Sequence, residues 1–390
     1  MRAGDVIHGY RLLEDFRVVG AGLSEWSFAE RDGRAFFIKR FLSPTYPDDA
    51  APGSAKTKAA KRARCAAFEA HHRGIQTALA PVTSYGGNLI ATLDFFRAGA
   101  KYYKVTEKVD LAGLETADVA TLPFPAQLVL LKTVAHSLKI LHDLDIVHSD
   151  LKPSNVMIKR TELGYTTKLI DFDSSYIVGH PPPAEEIVGT MNYYSPELVR
   201  YIQGAEGSSQ LTEASDIFAL GLIYAEYLTG SAPPFDPAHH EPAIAVLNGE
   251  TLRLVAPGLP APLVALVESM MSADPADRPH VGDVHASLMG LRSVPATTRA
   301  APRPSALRTS ARRASASRMS GPVATPATSS LRGKGLRLAT AARGTPPAES
   351  ERASAVPVPA APLGAGSGAV RRRGRILLGK LVDKLEARRR

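Results

Sequence analysis

The chain has 390 residues, of which 44% are apolar, so it can bury a sizeable core and is not disordered throughout; its length predicts a main domain with an appended segment. Charge divides it near residue 293, because the first 292 residues sum to about −7 whereas the last 98 carry 20 Lys+Arg against four acidic residues. A single cysteine excludes an internal disulfide, and the longest apolar run, 217–228, is too short to span a membrane, so we expect a cytoplasmic protein without a signal peptide.

The first part of the chain predicts an antiparallel sheet interrupted by one helix. The pair Asp32-Gly33 suits the left-handed positions of a tight hairpin. A stretch rich in Ala, Lys and Arg runs to about Leu79 and favours a helix, with Ser54 as its N-cap. The predicted strands are 18–19, 26–30, 35–41, 89–96 and 101–107.

From residue 125 onward the pattern becomes helical. Apolar residues recur at spacings of three and four between Leu128 and Leu141, which predicts an amphipathic helix. Short apolar runs at 156–158 and 168–170 predict a small hairpin. Further helices are predicted at 214–228, 262–271 and 281–291. The sequence therefore predicts an α+β fold, in which a sheet-rich small lobe precedes a helical large lobe.

The basic C-terminal tail has two predicted parts. Residues 293–368 form a linker rich in Ala, Pro, Ser and Arg with scarcely any large apolar side chain, so we predict disorder there. Residues 369–390 combine clustered arginines with apolar residues at helical spacing, which predicts a basic amphipathic helix. Such a helix suits a protein partner or an anionic membrane surface, and nucleic acid is the less favoured partner.

Three oxygen-bearing side chains follow the predicted strands of the large lobe on short loops. Residues 148–155 read His-Ser-Asp-Leu-Lys-Pro-Ser-Asn, and Asp171 follows Asp150 by 21 residues. Carboxylate and amide oxygens are the ligands that Mg²⁺ prefers, so Asn155 and Asp171 are the candidate metal ligands. Asp150 then remains free to accept a proton and is the candidate base.

This arrangement resembles the catalytic core of protein kinases, whose loop has the form H-R-D-x-x-x-x-N and whose metal-binding triplet is D-F-G. The resemblance covers residues 8–292 and implies a bilobal protein-kinase-like fold, with a small lobe at about 8–108 and a large lobe at about 110–292. Small-molecule phosphotransferases that act on aminoglycosides or choline share the loop pattern and are one alternative. A nucleotide-binding scaffold without catalysis is a second.

Four further features resemble eukaryotic-like Ser/Thr protein kinases of bacterial type. Lys152 resembles the lysine placed against the transferred phosphate. The segment 189–197 resembles the one that positions a Ser/Thr substrate. Asp216 resembles the aspartate that braces the catalytic loop, and Arg278 resembles an arginine that pairs with the glutamate matched by Glu197. Together they imply an ATP-dependent transferase that acts on protein substrates.

The resemblance also assigns a site for ATP. Gly20 and Gly22 fit a phosphate-covering loop, although Glu25 replaces its third glycine. Lys39 fits the lysine that pairs with the α- and β-phosphates, and Glu69 is its predicted partner. The predicted adenine contacts are the hinge residues Glu107 and Val109 and the pocket floor Met157.

Three features predict regulation. Ser149 replaces the arginine that, in many protein kinases, binds the phosphate of a phosphorylated activation loop. We therefore expect activity without phosphorylation of that loop. Asp173 replaces the glycine of D-F-G, which predicts a stiffer triplet and an altered preference between Mg²⁺ and Mn²⁺. Hydroxyls beside arginines in the tail, as at Ser315, predict tail autophosphorylation.

Overall fold

The computed structural model describes residues 1–19, 24–48, 50, 52–82, 87–162 and 164–291. The predicted glycine loop with Gly20 and Gly22, the linker 293–368 and the basic helix 369–390 lie outside these residues. Within them, strand β1 begins at Val6, shortly before the predicted domain start at residue 8.

Among its described residues, the small lobe contains an antiparallel sheet of seven strands and one long helix. Its strands follow the order β1-β2-β4-β5-β7-β6, and β3 pairs with β4 beside this path. The strands are β1 Val6–Ile7, β2 Tyr10–Leu12, β3 Arg17–Val19, β4 Ser24–Arg31, β5 Arg34–Phe41, β6 Asp94–Ala98 and β7 Lys101–Glu107. The helix is α1, Ala55–Leu79.

The β4–β5 hairpin fixes the register of the sheet. Asp32 and Gly33 adopt φ of 54° and 71°, so the predicted tight turn is confirmed. The register then pairs Lys39 on β5 with Trp26 on β4 and with Lys104 on β7. Since side chains alternate between the two faces of a sheet, these three directly paired residues share one face. The opposite face carries Ile38 and forms a buried apolar cluster.

Helix α1 begins where the sequence predicts. The Ser54 hydroxyl accepts a hydrogen bond from the amide of Thr57 at 3.1 Å and caps the helix. Aromatic and apolar side chains then hold the helix against the sheet. Phe68 packs against Phe41, Phe95 and Tyr102, with ring centroids 5.0–6.0 Å apart.

The large lobe is mainly helical and contains the main buried core of the described residues. Its helices are α2 Thr116–Thr121, α3 Phe124–His142, α4 Pro196–Ile202, α5 Ala214–Thr229, α6 Pro242–Leu247, α7 Ala261–Met270 and α8 Val281–Gly290. The described residues of this lobe also form two short antiparallel pairs: β8 Ile146–Val147 with β11 Tyr176–Ile177, and β9 Val156–Thr161 with β10 Gly164–Leu169. The predicted bilobal α+β architecture is confirmed.

One predicted strand is wrong in its extent. Residues 89–96 were expected to form a single strand, but β6 begins only at Asp94. Leu89 instead forms an isolated bridge with Leu169 of the large lobe, and the Ile90 amide donates to the Leu169 carbonyl at 2.8 Å. The first part of the apolar run is therefore buried against β10. Among the described helices, none is both long and apolar enough to cross a membrane.

Candidate active site

The loop between β8 and β9 is held by one buried carboxylate. Asp216, on α5, accepts hydrogen bonds from the amides of His148 at 2.7 Å and Ser149 at 2.9 Å, and the His142 ring lies 3.0 Å from its Oδ2. Burial alone would raise the pKa of Asp216, but the hydrogen bond and charge of His142 and the contacts with His148 lower it. The predicted bracing role of Asp216 is confirmed, and the loop is fixed even though Ser149 has a left-handed φ of 68°.

His148 links this loop to the segment that carries Asp171. Its ring is buried, and Nε2 lies 3.0 Å from the carbonyl oxygen of Ile170. This contact gives the histidine a structural hydrogen-bonding role. The imidazole therefore joins the candidate base loop to the segment that carries the candidate metal ligand.

Asp150 is surrounded by hydrogen-bond donors. Lys152 Nζ lies 2.7 Å from Oδ2, Asn155 Nδ2 donates to the same oxygen at 3.2 Å, and the Thr190 amide donates to Oδ1 at 3.2 Å. All three groups donate to the two carboxylate oxygens. Asp150 is thus oriented as an acceptor, which is the state that a general base needs.

Lys152 joins Asp150 to the segment 189–197. Its ammonium also donates to Thr190 Oγ1 at 2.9 Å. Gly189 permits this approach, because a Cβ atom there would lie 2.8 Å from the Tyr194 ring and 3.3 Å from Asp150 Oδ1. Lys152 therefore contacts both the Thr190 hydroxyl and the Asp150 carboxylate. The sequence alone does not show that these groups lie together.

Asn155 and Asp171 lie on hydrogen-bonded segments. Asn155 donates through Nδ2 to the Asp150 carbonyl at 2.7 Å, and its own carbonyl accepts from the Ile170 amide at 3.1 Å. Because its amide nitrogen is used, Asn155 can offer its side-chain oxygen to a cation. Asp171 adopts a left-handed φ of 62° and is about one-third exposed, so its carboxylate faces accessible space. An amide oxygen and a carboxylate together form a donor set that fits Mg²⁺.

Two lysines of the small lobe reach the carboxylates of residues 171 and 173. Lys39 Nζ lies 3.0 Å from Asp171 Oδ2 and 2.7 Å from Asp173 Oδ2. Lys104 Nζ lies 3.1 Å from Asp171 Oδ1 and also bonds Asp173 Oδ1. The structure therefore brings Lys39, Asp171, Asn155 and Asp150 into one connected site between the lobes.

Mutual attraction keeps Lys39 and Asp173 charged. Burial opposes the charge of Lys39, but Asp173 and Asp171 outweigh it and raise the pKa of Lys39. Burial also opposes the charge of Asp173, yet Lys104 and Lys39 lower the pKa of Asp173 well below its usual value. Lys39 and Asp173 are consequently ionised at neutral pH.

The predicted pair of Lys39 and Glu69 does not form. Glu69 Oε1 instead accepts a hydrogen bond from the Tyr102 hydroxyl at 2.6 Å. On α1 it is His72, one helical turn further on, that faces the carboxylate of Asp173, at 3.8 Å. A turn of α-helix advances about 5.4 Å, so Glu69 lies beside Tyr102, two residues before Lys104 on β7.

Lys104 is a site residue that sequence reasoning missed. It lies in the buried strand run Tyr102–Thr106 and is itself only 5% exposed. A lysine is rarely buried without a partner, so its position inside this strand could have indicated a nearby carboxylate. Its position opposite Lys39 follows only from the β5–β7 register.

Glu25 on β4 and Phe37 on β5 both have defined partners. The Glu25 carboxylate, which replaces the third glycine of the predicted phosphate-covering loop, is bonded by the Arg40 guanidinium, with Nε 2.7 Å from Oε2, so its charge is compensated. Phe37 stacks on Trp26 with ring centroids 5.6 Å apart, and Phe28 packs edge-on against both rings. The strand face that carries Lys39 therefore also presents an aromatic surface.

The predicted hinge lies where the chain passes between the lobes. Lys168 of β10 approaches Glu107 Oε1 at 3.3 Å. Beyond Val109, the Ala112 amide donates to the Ile158 carbonyl at 2.8 Å and joins the connecting segment to β9. Met157 is half-buried on that strand, while its neighbours Val156 and Ile158 enter the core.

The segment 189–197 ends in a buried ion pair. Arg278 donates from its two terminal nitrogens to Glu197 Oε1 at 2.7 Å and Oε2 at 2.9 Å, and both side chains are essentially inaccessible. Ser215 also donates to Glu197, and the carbonyls of Ala214 and Ser272 accept from Arg278. The predicted pair is confirmed.

Comparison with known proteins gives one family. A family model described as the protein kinase domain matches residues 75–287, which is more than half of the chain. The chain is 37% identical over 170 residues to the serine/threonine-protein kinase AfsK of Streptomyces coelicolor, covering 43% of this chain and 20% of that protein. It is 33% identical over 129 residues to the serine/threonine-protein kinase PknA of Corynebacterium glutamicum, covering 33% of this chain and 25% of that one.

A plant protein gives a similar match. The calcium and calcium/calmodulin-dependent serine/threonine-protein kinase of Lilium longiflorum is 29% identical over 161 residues, or 40% of this chain and 29% of that protein. The chain thus spans less than a third of the length of each of these three relatives. The family match begins within α1, so strands β1 to β5, including Lys39, lie before it.

Proposed function

We propose that this chain, which belongs to the protein kinase family, transfers the γ-phosphate of ATP to serine and threonine hydroxyls of proteins. The observation that carries the proposal is the double contact of Lys152 with Asp150 at 2.7 Å and Thr190 at 2.9 Å. It couples a candidate base to the segment beside which a substrate hydroxyl would bind.

In this proposal Asp150 accepts the proton of the substrate hydroxyl as the phosphoryl group is transferred. Lys152 lies beside that carboxylate and offsets negative charge that develops on the transferred group. The Thr190 amide and Asn155 hold the Asp150 oxygens in place. Lys39 binds the nucleotide phosphates.

Asn155 and Asp171 would hold Mg²⁺ or Mn²⁺, which neutralises phosphate charge when bound. The aromatic surface of Trp26, Phe28 and Phe37 and the hinge at Glu107 and Val109 suit a planar base. We assign Met157 to the floor of that pocket, and Gly20 and Gly22 to a phosphate-covering loop.

A protein substrate is favoured over a small molecule. The segment 189–197 is fixed at one end by Lys152 and at the other by the buried Arg278–Glu197 pair. A rigid segment beside the base can position an extended peptide, whereas an aminoglycoside or choline does not need it.

The proposal places the chain in the cytoplasm, where ATP is available and where its buried free Cys65 stays reduced. Binding of the basic segment 369–390 to a protein or an anionic membrane, and autophosphorylation of the tail, remain predictions from the sequence. Both concern residues outside the described part of the chain.

The test is transfer of radiolabelled phosphate from ATP to a panel of acceptors. We expect label on serine and threonine of a general protein substrate such as casein, and none on kanamycin or choline. Label on the small molecules alone would refute the proposal. Binding of ATP without transfer to any acceptor would support the scaffold alternative instead.

A further inference from the structure

The cleft contains a four-membered charge cluster with two members that the family motifs do not include. We call Lys39, Lys104, Asp171 and Asp173 the cleft cluster. Asp173 stands where the D-F-G triplet has glycine, and Lys104 is the lysine opposite Lys39 on β7. The two departures meet each other, because Lys104 Nζ bonds Asp173 Oδ1.

The sheet register explains why Lys104 can do this. Lys39 and Lys104 are direct Cα partners on antiparallel strands, so their side chains leave the sheet on the same face and close together. Two adjacent ammonium groups repel each other unless carboxylates lie between them. Asp171 and Asp173 occupy this position and each contact both lysines.

Helix α1 supplies no carboxylate to Lys39. Glu69 is used by Tyr102, and the helix instead presents two histidines to residue 173. His71 Nε2 lies 3.0 Å from the Asp173 carbonyl oxygen, and His72 Nδ1 lies 3.8 Å from Oδ1. Burial lowers the pKa of His72 to about 4, so that ring adds no charge at neutral pH.

The charges of the cluster suit a change of partner when a nucleotide binds. Two ammonium and two carboxylate groups sum to zero. If the Asp171 carboxylate turns to a metal ion, Lys39, Lys104 and Asp173 remain with one net positive charge. That charge attracts a polyphosphate, while Asp173 still holds both lysines.

We propose that Asp173, itself held by Lys104, is the positioning residue that directs the Lys39 ammonium toward the nucleotide phosphates, in place of a carboxylate from helix α1. The inference rests on the proposed function only in taking ATP as the ligand. It makes the placement of Lys39 independent of where Glu69 lies.

The test compares Asp173→Asn with the matched control Glu69→Gln. Both changes remove one carboxylate charge at nearly constant size. Binding of ATP to the full chain is measured by calorimetry with and without Mg²⁺, and thermal unfolding checks that each variant is folded. Asp173→Glu, which restores a carboxylate, is the conservative rescue.

We expect Asp173→Asn to weaken ATP binding about tenfold in both conditions, because Lys39 loses its closest charged partner. Glu69→Gln should stay within about twofold of the wild type, and Asp173→Glu should recover most of the loss. Unchanged or tighter binding by Asp173→Asn would overturn the inference, and so would an equal loss in Glu69→Gln.

Asp173→Asn leaves Lys104 buried without its main partner and could fail to fold. In that case the double variant Lys104→Met with Asp173→Asn, which removes both charges, is used instead. About tenfold weaker binding of ATP by this variant supports the inference, and wild-type affinity overturns it. If ATP binding falls in Asp173→Asn but not in Glu69→Gln, and the wild type phosphorylates no protein, only the proposed function is refuted. If the wild type phosphorylates proteins but Asp173→Asn and Glu69→Gln bind ATP equally well, only this inference is refuted.

Discussion

Arg278 and Glu197 form a two-point ion pair inside the large lobe, 81 residues apart in sequence and with less than 2% of either side chain accessible. Because each charge is satisfied only by the other and by neighbouring polar groups, removal of one partner leaves a buried, uncompensated charge. The pair joins the end of segment 189–197 to the loop before α8.

The first prediction concerns this pair. Glu197→Gln should lower the free energy of unfolding by about 3 to 5 kcal/mol, measured by urea denaturation. The control is Lys139→Ala, which breaks the exposed pair with Asp143 and should cost no more than about 1 kcal/mol. Equal effects of the two changes would contradict the structural role assigned to Arg278.

A second prediction separates peptide positioning from nucleotide binding. Thr190→Ala removes the hydroxyl that accepts from Lys152, so kcat for a protein substrate should fall about tenfold or more. Thr190→Ser keeps a hydroxyl and should retain most of the activity. The Kd for ATP, measured by calorimetry, should not change in either variant. If alanine and serine gave the same kcat, the contact would have no catalytic role.

A third prediction concerns activation. Ser175 is fully buried and donates to the His148 carbonyl at 3.2 Å, and Tyr176 is 5% exposed, so neither is available to a modifying enzyme in this conformation. Ser174 donates to the Val188 carbonyl at 3.2 Å and ties the segment down without phosphate. Phosphatase-treated protein should therefore keep its turnover. Recovery of activity only after rephosphorylation of residues 174–176 would contradict this.

A fourth prediction concerns acid stability. Burial lowers the pKa of His72 from 6.5 to about 4, so between these values the unfolded chain binds the proton and the folded chain does not. Stability should therefore fall as the pH is lowered from 6.5 to 4. This single group accounts for at most about 1.4 kcal/mol per pH unit.

His72→Gln should flatten that slope in urea denaturation measured from pH 4 to pH 7. His180→Gln, which removes an exposed imidazole, is the matched control. An unchanged slope in His72→Gln would show that other groups cause the acid sensitivity.

Local motifs made much of the site predictable. Asp150, Lys152 and Asn155 lie within six residues, and a short loop keeps such neighbours together in any compact fold. The Asp32-Gly33 turn and the Ser54 cap are likewise set by backbone preferences of single residues. The Arg278–Glu197 pair was predictable only through the family resemblance, since 81 residues separate its members.

The prediction that Glu69 pairs with Lys39 was wrong because the sequence of a helix does not determine which of its turns packs opposite a given strand residue. Helix α1 has 25 residues, and an axial difference of one turn exchanges Glu69 for His72. Lys104 escaped notice because all five residues from Tyr102 to Thr106 are buried, so no alternation marked its face. The importance of Asp173 follows from two strands and a loop that meet only in the folded protein.

The most direct test of the account is phosphate transfer by Asp150→Asn compared with the wild type, on a protein substrate and with radiolabelled ATP. The variant keeps the side-chain size but replaces one acceptor oxygen with an amide group that donates, and it removes the proton acceptor. We predict that it binds ATP with wild-type affinity and transfers phosphate at least about a hundredfold more slowly. Transfer at the wild-type rate would contradict the assignment of Asp150 as the base and, with it, the proposed mechanism.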